Sequence, residues 1–291
     1  MGEPASVLRR FPIFSAWVLL AVVALVRAAA LLVVRVEPVW LADGVAALFG
    51  VGLTAVYLVA AHRRIAEVGL HAYGRRALVC RAAAYSAVAV LLGYASELGA
   101  YSAAAGEFQP ARQVPFFAGT MEQQAMVGAL SVMIVVAAGV LRAFMEETMF
   151  RGVLLSHLRT RVAGLRANVV QALAFGVWNA LLALRLYLDG TLEAAGTPLG
   201  VPAYLGVWVM FGLVWGYAAI VSASVWYAWV SHVIVAALLP LVQFAVMPPE
   251  AAVWLAGGWI RYTIAAFVLA LLTLRLRRWA YPPQVELRAE V

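Results

Sequence analysis

The sequence contains no lysine, one cysteine and four histidines, and only 12% of its 291 residues are charged. Each scarcity excludes something. Cys80 alone can form neither an internal disulfide nor a multi-cysteine metal site. The histidines include no H-E-x-x-H segment, the usual helical zinc pattern, so neither a metal nor another cofactor is expected. Soluble domains carry about 25% charged residues, so this composition is not that of a soluble domain. Without lysine, the net charge of +7 rests on arginine alone. In so apolar a chain an arginine excess speaks first of membrane topology, and no nucleic-acid partner is expected.

What is present is apolar: 65% of the residues are hydrophobic. Several runs reach the roughly 20 residues that cross a bilayer. Eight spans are predicted, near 11–34, 39–61, 78–101, 126–159, 168–188, 201–221, 225–246 and 251–274. The first reads as an uncleaved span, because its apolar run continues past Ala28-Ala29-Ala30. Arginines crowd the N-terminus, the linker from His62 to Arg76, the segment Arg159 to Arg166 and the C-terminus. The alternate loops carry Glu37 and Asp43, Glu107 and Glu122, Asp189 and Glu193, and Glu250. By the positive-inside rule this alternation places both termini in the cytoplasm, and the expected location is the cell's inner (plasma) membrane. The predicted fold is all-α, a polytopic bundle of about eight transmembrane helices forming one membrane domain, 1–291. Tryptophans near span ends fit aromatic belts.

Within the fourth span lies Met145-Glu146-Glu147-Thr148-Met149-Phe150-Arg151-Gly152, preceded by an uncharged run from Met126 to Leu141. Ionisable residues at membrane depth are expensive and mark a functional site by default. Glu147 and Arg151 are four apart and share a helix face, so they can pair. Glu146 is turned about 100° from Glu147. One carboxylate can therefore be structural while the other activates a water. Arg142, four residues before Glu146, can pair with it and weaken it as a proton acceptor, or can face another helix.

A rise of about 1.5 Å per residue places Glu146 and Asn179 roughly 20 Å from the inner helix ends, Arg151 about 12 Å and His232 about 10 Å. One interhelical pocket can hold all four. Taken singly, the acidic cluster also suits a helix–helix clamp, Asn179 an interhelical hydrogen bond, and His232 a bundle histidine. His157 reads as interfacial, and His62 and His71 as solvated.

Together these elements resemble the CAAX-protease and bacteriocin-processing (CPBP) family of intramembrane proteases, also called the abortive-infection family, whose motifs are E-E-x-x-x-R on one helix, F-x-x-x-H on the next and H-x-x-x-N two helices later. Glu146-Glu147 with Arg151 matches the first and is followed by the frequent Phe-Arg-Gly order at Phe150-Arg151-Gly152. Phe175 to Asn179 occupies the second, with asparagine in the histidine place. His232 opens the third, whose partner position is Ala236. The resemblance spans about 126–240 as a motif-bearing core. It implies an endopeptidase with Glu146 as base, Glu147 and Arg151 as its support, Asn179 orienting water and His232 donating to the oxyanion. Its substrate would be a membrane-embedded or lipid-anchored peptide among membrane lipids. The alternative is a degenerate relative that binds such a peptide or a partner protein without cutting. Asparagine cannot accept a proton as imidazole does, and Ala236 supplies no oxyanion donor.

Overall fold

The computed structural model describes residues 8, 10–37, 39–71, 75–104, 109–112, 129–189, 200–245 and 259–276. Glu107, Glu122, Glu193, Glu250 and the predicted start of the eighth span lie outside these.

Helix α1, Pro12–Ala28, starts on a proline, whose missing N–H costs nothing in a first turn. It continues as a π-helical turn, Ala29–Val33, and the chain reverses through Arg35 at φ 52°. Helix α2, Val39–Ala60, returns across the bundle and ends before His62, also at positive φ. A short linker with a 3-10 turn, Ile65–Val68, leads to α3, Arg75–Ala104. Helix α4, Ala129–Glu147, runs on without a break as a π-helix, Thr148–Leu155, and a last α-turn, Ser156–Leu158. Helices α5, Gly164–Leu188, α6, Gly200–Ser222, α7, Trp226–Leu238, and α8, Trp259–Leu274, complete the bundle. A two-stranded ribbon pairs β1, Gln109–Arg112, with β2, Val242–Ala245.

The predicted helical bundle is present, with one boundary corrected. The seventh span was expected to reach Val246, but α7 stops at Leu238. Pro240 explains the stop: it has no N–H to donate to the carbonyl of Ala236, so the helical ladder is not carried further, although Leu239 itself keeps helical angles. The chain beyond it is extended as β2.

Five helical segments among the described residues are long and apolar enough to cross a membrane: Pro12–Val33, Val39–Ala60, Arg75–Ala100, Gly164–Leu188 and Tyr204–Ser222. Leu25, Leu48, Leu91, Met133, Leu173 and Phe267 point outward, each at least half exposed. Arg27, Asp43, Glu97, Glu146, Glu147 and Arg151 are buried instead. Apolar outside and charged inside is the arrangement that hydrocarbon, not water, favours. This is a membrane protein.

Helix α5 packs along α6, α3 against α7 and α8, and α2 against α4. The aromatic core at their centre is built from Phe150, Phe175, Trp208, Phe211 and Trp215. On the side of the bundle where α2 ends, the linker is tied to the α6–α7 turn. Gly69, at φ 79°, accepts from Val225 N–H at 3.2 Å, and Trp226 Nε1 donates to the His71 carbonyl at 2.8 Å. Left-handed φ suits glycine because it has no Cβ to clash. His157, expected at the interface, is buried with its Nε2 2.7 Å from the Tyr57 hydroxyl.

Candidate active site

Glu146 and Glu147 close the α-helical part of α4, and the π-helical stretch begins at the next residue. Such stretches occur frequently at functional sites. Two ion pairs at helical spacing flank the step: Arg142 Nε lies 3.3 Å from Glu146 Oε1, and Arg151 Nη1 lies 3.1 Å from Glu147 Oε1. Arg151 also stacks over the Phe175 ring, 4.1 Å from its centroid, so its charge faces a π-cloud as well as a carboxylate.

Helix α7 brings in His232. Its Nδ1 is 2.8 Å from Glu147 Oε1, and its ring stacks on Trp215 with centroids 4.3 Å apart. An ionised Glu147 only accepts, so Nδ1 donates, and the lone pair of the neutral imidazole falls on Nε2. That Nε2 is 3.6 Å from Glu146 Oε2, and neither atom has a hydrogen-bond partner. Glu146, Glu147 and His232 are all 0% exposed. Buried polar atoms are nearly always satisfied. Two acceptors facing each other at this distance match a molecule that donates two protons, as water does.

Helix α5 supplies Trp178, whose Nε1 donates to Glu146 Oε1 at 2.7 Å. Asn179, next in sequence and fully buried, bonds back to its own helix. Its Nδ2 donates to the Phe175 carbonyl at 3.0 Å, and its Oδ1 has no partner. Ala236 is half-buried on α7.

Of the two arrangements open to Arg142, the structure shows both: its Nε lies 3.3 Å from Glu146 Oε1, the oxygen to which Trp178 donates. Arg142 faces another helix as well, with Nη1 2.5 Å from Asp43 Oδ2. Asp43 was read as a loop acid but is buried within α2. Its other oxygen takes Arg27 Nε at 2.8 Å. Arg27 Nη1 donates to the Trp178 carbonyl at 2.5 Å, and its guanidinium lies 4.6 Å from the centroid of that indole. The contacts close a ring: Glu146, Arg142, Asp43, Arg27, Trp178 and back to Glu146. With Glu147 and Arg151, three carboxylates face three guanidiniums, so the site is neutral when His232 is.

Arg27 and Asp43 escaped the sequence reading because their partners lie far along the chain. Trp178, Trp208 and Trp215 received no site role from the sequence, yet each is buried against the site or its core. The usable signal was a pair of charges inside apolar runs, Arg27 and Asp43. Among the described residues no group of three or more His, Cys, Asp or Glu is arranged to hold a metal ion.

Residues 128–238 match the family model described as type II CAAX prenyl endopeptidase Rce1-like. No curated protein and no solved structure gives a significant match.

Proposed function

We propose that this chain, whose residues 128–238 match the Rce1-like family model, is an intramembrane endopeptidase that hydrolyses a peptide bond with a carboxylate-activated water. The observation that carries the reading is the pair of unpartnered acceptors, Glu146 Oε2 and His232 Nε2, 3.6 Å apart in a fully buried site. A water donating to both is held and polarised at once. Glu146 takes its proton as the oxygen attacks the scissile carbonyl carbon, and returns a proton to the leaving amine as the C–N bond breaks. His232 orients that water through Nε2. This differs from the oxyanion role implied by the resemblance, and it offsets the lack of an acceptor imidazole at Asn179. Glu147 fixes the His232 ring, and Arg151 balances Glu147.

The substrate is a membrane-embedded or lipid-anchored peptide: a prenylated C-terminus, a peptide precursor or a C-terminal sorting signal. We place the protein in the plasma (inner) membrane as one domain, 1–291, with the motif core at 126–240 and both termini cytoplasmic. A second reading, a relative that binds such a peptide without cutting, is favoured by the Arg142 contact on Glu146 and by Asn179 bonding to its own backbone.

The deciding experiment measures cleavage of a co-expressed substrate drawn from the genomic neighbourhood, by the parent, Glu146→Ala, His232→Ala and Asn179→His. The enzyme reading expects cleavage by the parent, none with Glu146→Ala, and a loss of about 10²–10⁴-fold with His232→Ala. Asn179→His should cut at least as fast as the parent. Cleavage that survives Glu146→Ala sinks the mechanism. Binding without cleavage by the parent selects the second reading.

A further inference from the structure

The ring through Arg27 and Asp43 reaches beyond the family-matched segment. Both residues precede residue 128, on α1 and α2, while Arg142, Glu146 and Trp178 lie within 128–238. We infer that Asp43 is a positioning residue for Glu146: it occupies Arg142 and anchors Arg27 against Trp178, so that only Oε1 of Glu146 is held and Oε2 stays turned to His232. The inference rests on the proposed role of Glu146 and adds to it the two helices that make the carboxylate usable.

The distances favour this division of labour. The close contact of Arg142 goes to Asp43 at 2.5 Å; its Nε approaches Glu146 at 3.3 Å without making a hydrogen bond. A guanidinium is a planar fork that grips a carboxylate bidentately when nothing competes. With Asp43 neutral, Glu146 is the carboxylate left to Arg142, and a bidentate grip would take Oε2 as well as Oε1. The oxygen that faces His232 would then be occupied. Asp43 prevents this by offering one oxygen to each of two arginines. Arg27 serves the same end from the other side, through its bond to the Trp178 carbonyl and its stack on the indole that donates to Glu146. Asp43 touches neither water nor substrate, so its influence passes entirely through Arg142 and Trp178.

Two measurements on the full-length protein test this, one of which needs no substrate. In protein labelled with 15N-tryptophan, the Trp178 indole N–H resonance is assigned by its loss in Trp178→Phe. It should move in Glu146→Gln, which removes the charged acceptor, and move again in Asp43→Asn, while Glu67→Gln on the linker leaves it in place. In cleavage assays, Asp43→Asn should lower kcat by about tenfold or more with KM little changed, the mark of an interaction made in the transition state only. Asp43→Glu should restore part of that loss. The double variant Asp43→Asn/Arg142→Gln should lose no more than the worse single variant, because both act on one oxygen. If Asp43→Asn does not fold, the charge-balanced Arg27→Gln/Asp43→Asn takes its place in both measurements. An unmoved indole resonance, or losses that simply multiply in the double variant, overturns the inference. If the parent cleaves nothing yet the resonance moves as expected, the proposed activity fails and the positioning role stands.

Discussion

Arg151 places a fully buried guanidinium between a carboxylate and three aromatic rings, and none of its nitrogens makes a hydrogen bond within normal geometry. Its worth is therefore charge balance for Glu147. Removing one member of a buried pair leaves the other uncompensated, at a cost of about 3–5 kcal/mol. Arg151→Met should lower the thermal midpoint in detergent markedly, and Glu147→Gln/Arg151→Met should recover much of it, since a glutamine carbonyl still accepts from His232 Nδ1. Equal midpoints for Arg151→Met and the parent would count against the pair. This contact was legible in the sequence because helical geometry alone brings residues four apart together. The partners of Glu146 were less so. Spacing exposed Arg142 as a candidate, but a choice between Glu146 and another helix is tertiary, and the guanidinium in fact reaches both.

Among the elements, α5 and α6 are drawn close by a polar seam at Gly216. Asn168 Nδ2 donates to the Leu213 carbonyl at 2.9 Å, and Gln171 Nε2 donates to Gly212 at 2.9 Å and to Asn168 Oδ1 at 2.8 Å. A Cβ on Gly216 would land on Asn168 Oδ1 and press on Gln171 Nε2. Gly216→Ala should therefore destabilise by about 1–3 kcal/mol, the cost of leaving buried polar groups unsatisfied. At Gly164 the nearest atoms are 3.9 Å from such a Cβ, so Gly164→Ala should be neutral or stabilise by up to about 1 kcal/mol. Thermal unfolding of the two variants beside the parent checks both. Most helices were visible as apolar runs of bilayer length. The end of α7 was missed because the apolar run continues through Leu239 and beyond, and only Pro240 marks the change of conformation. The passage of α4 into a π-helix has no signature in hydropathy at all.

The whole molecule makes a prediction about sidedness. Helix α2 separates the turn at Glu37 from the linker at Arg64. In a Cys80→Ala background, single cysteines at these two positions should label from opposite faces of the membrane, with position 64 reached only from the cytoplasm. Labelling of both from one side would remove the topology that the arginine bias supports. The apolar runs made the bundle readable from the sequence, and the arginine bias supplies the orientation that this labelling tests. The site was readable only in part, because the motifs name residues of α4, α5 and α7, whereas half of the charged ring comes from α1 and α2.

That ring has a consequence for how the protein is made. Arg27, Asp43, Arg142 and Glu146 enter the bilayer on three helices that emerge at widely separated times during synthesis. A charged residue at a helix centre costs about 2.5–3.5 kcal/mol on insertion. Arg27 and Asp43 can neutralise each other early, since α1 and α2 are sequential neighbours. Arg142 and Glu146 then arrive as their own pair within α4, and the two half-rings join when α4 docks on α2. Each stage is close to neutral, so no stage leaves a lone charge in lipid for quality-control proteases to recognise. A substitution at any one of the four should lower the yield of inserted protein, so variants are to be compared at matched amounts of folded protein.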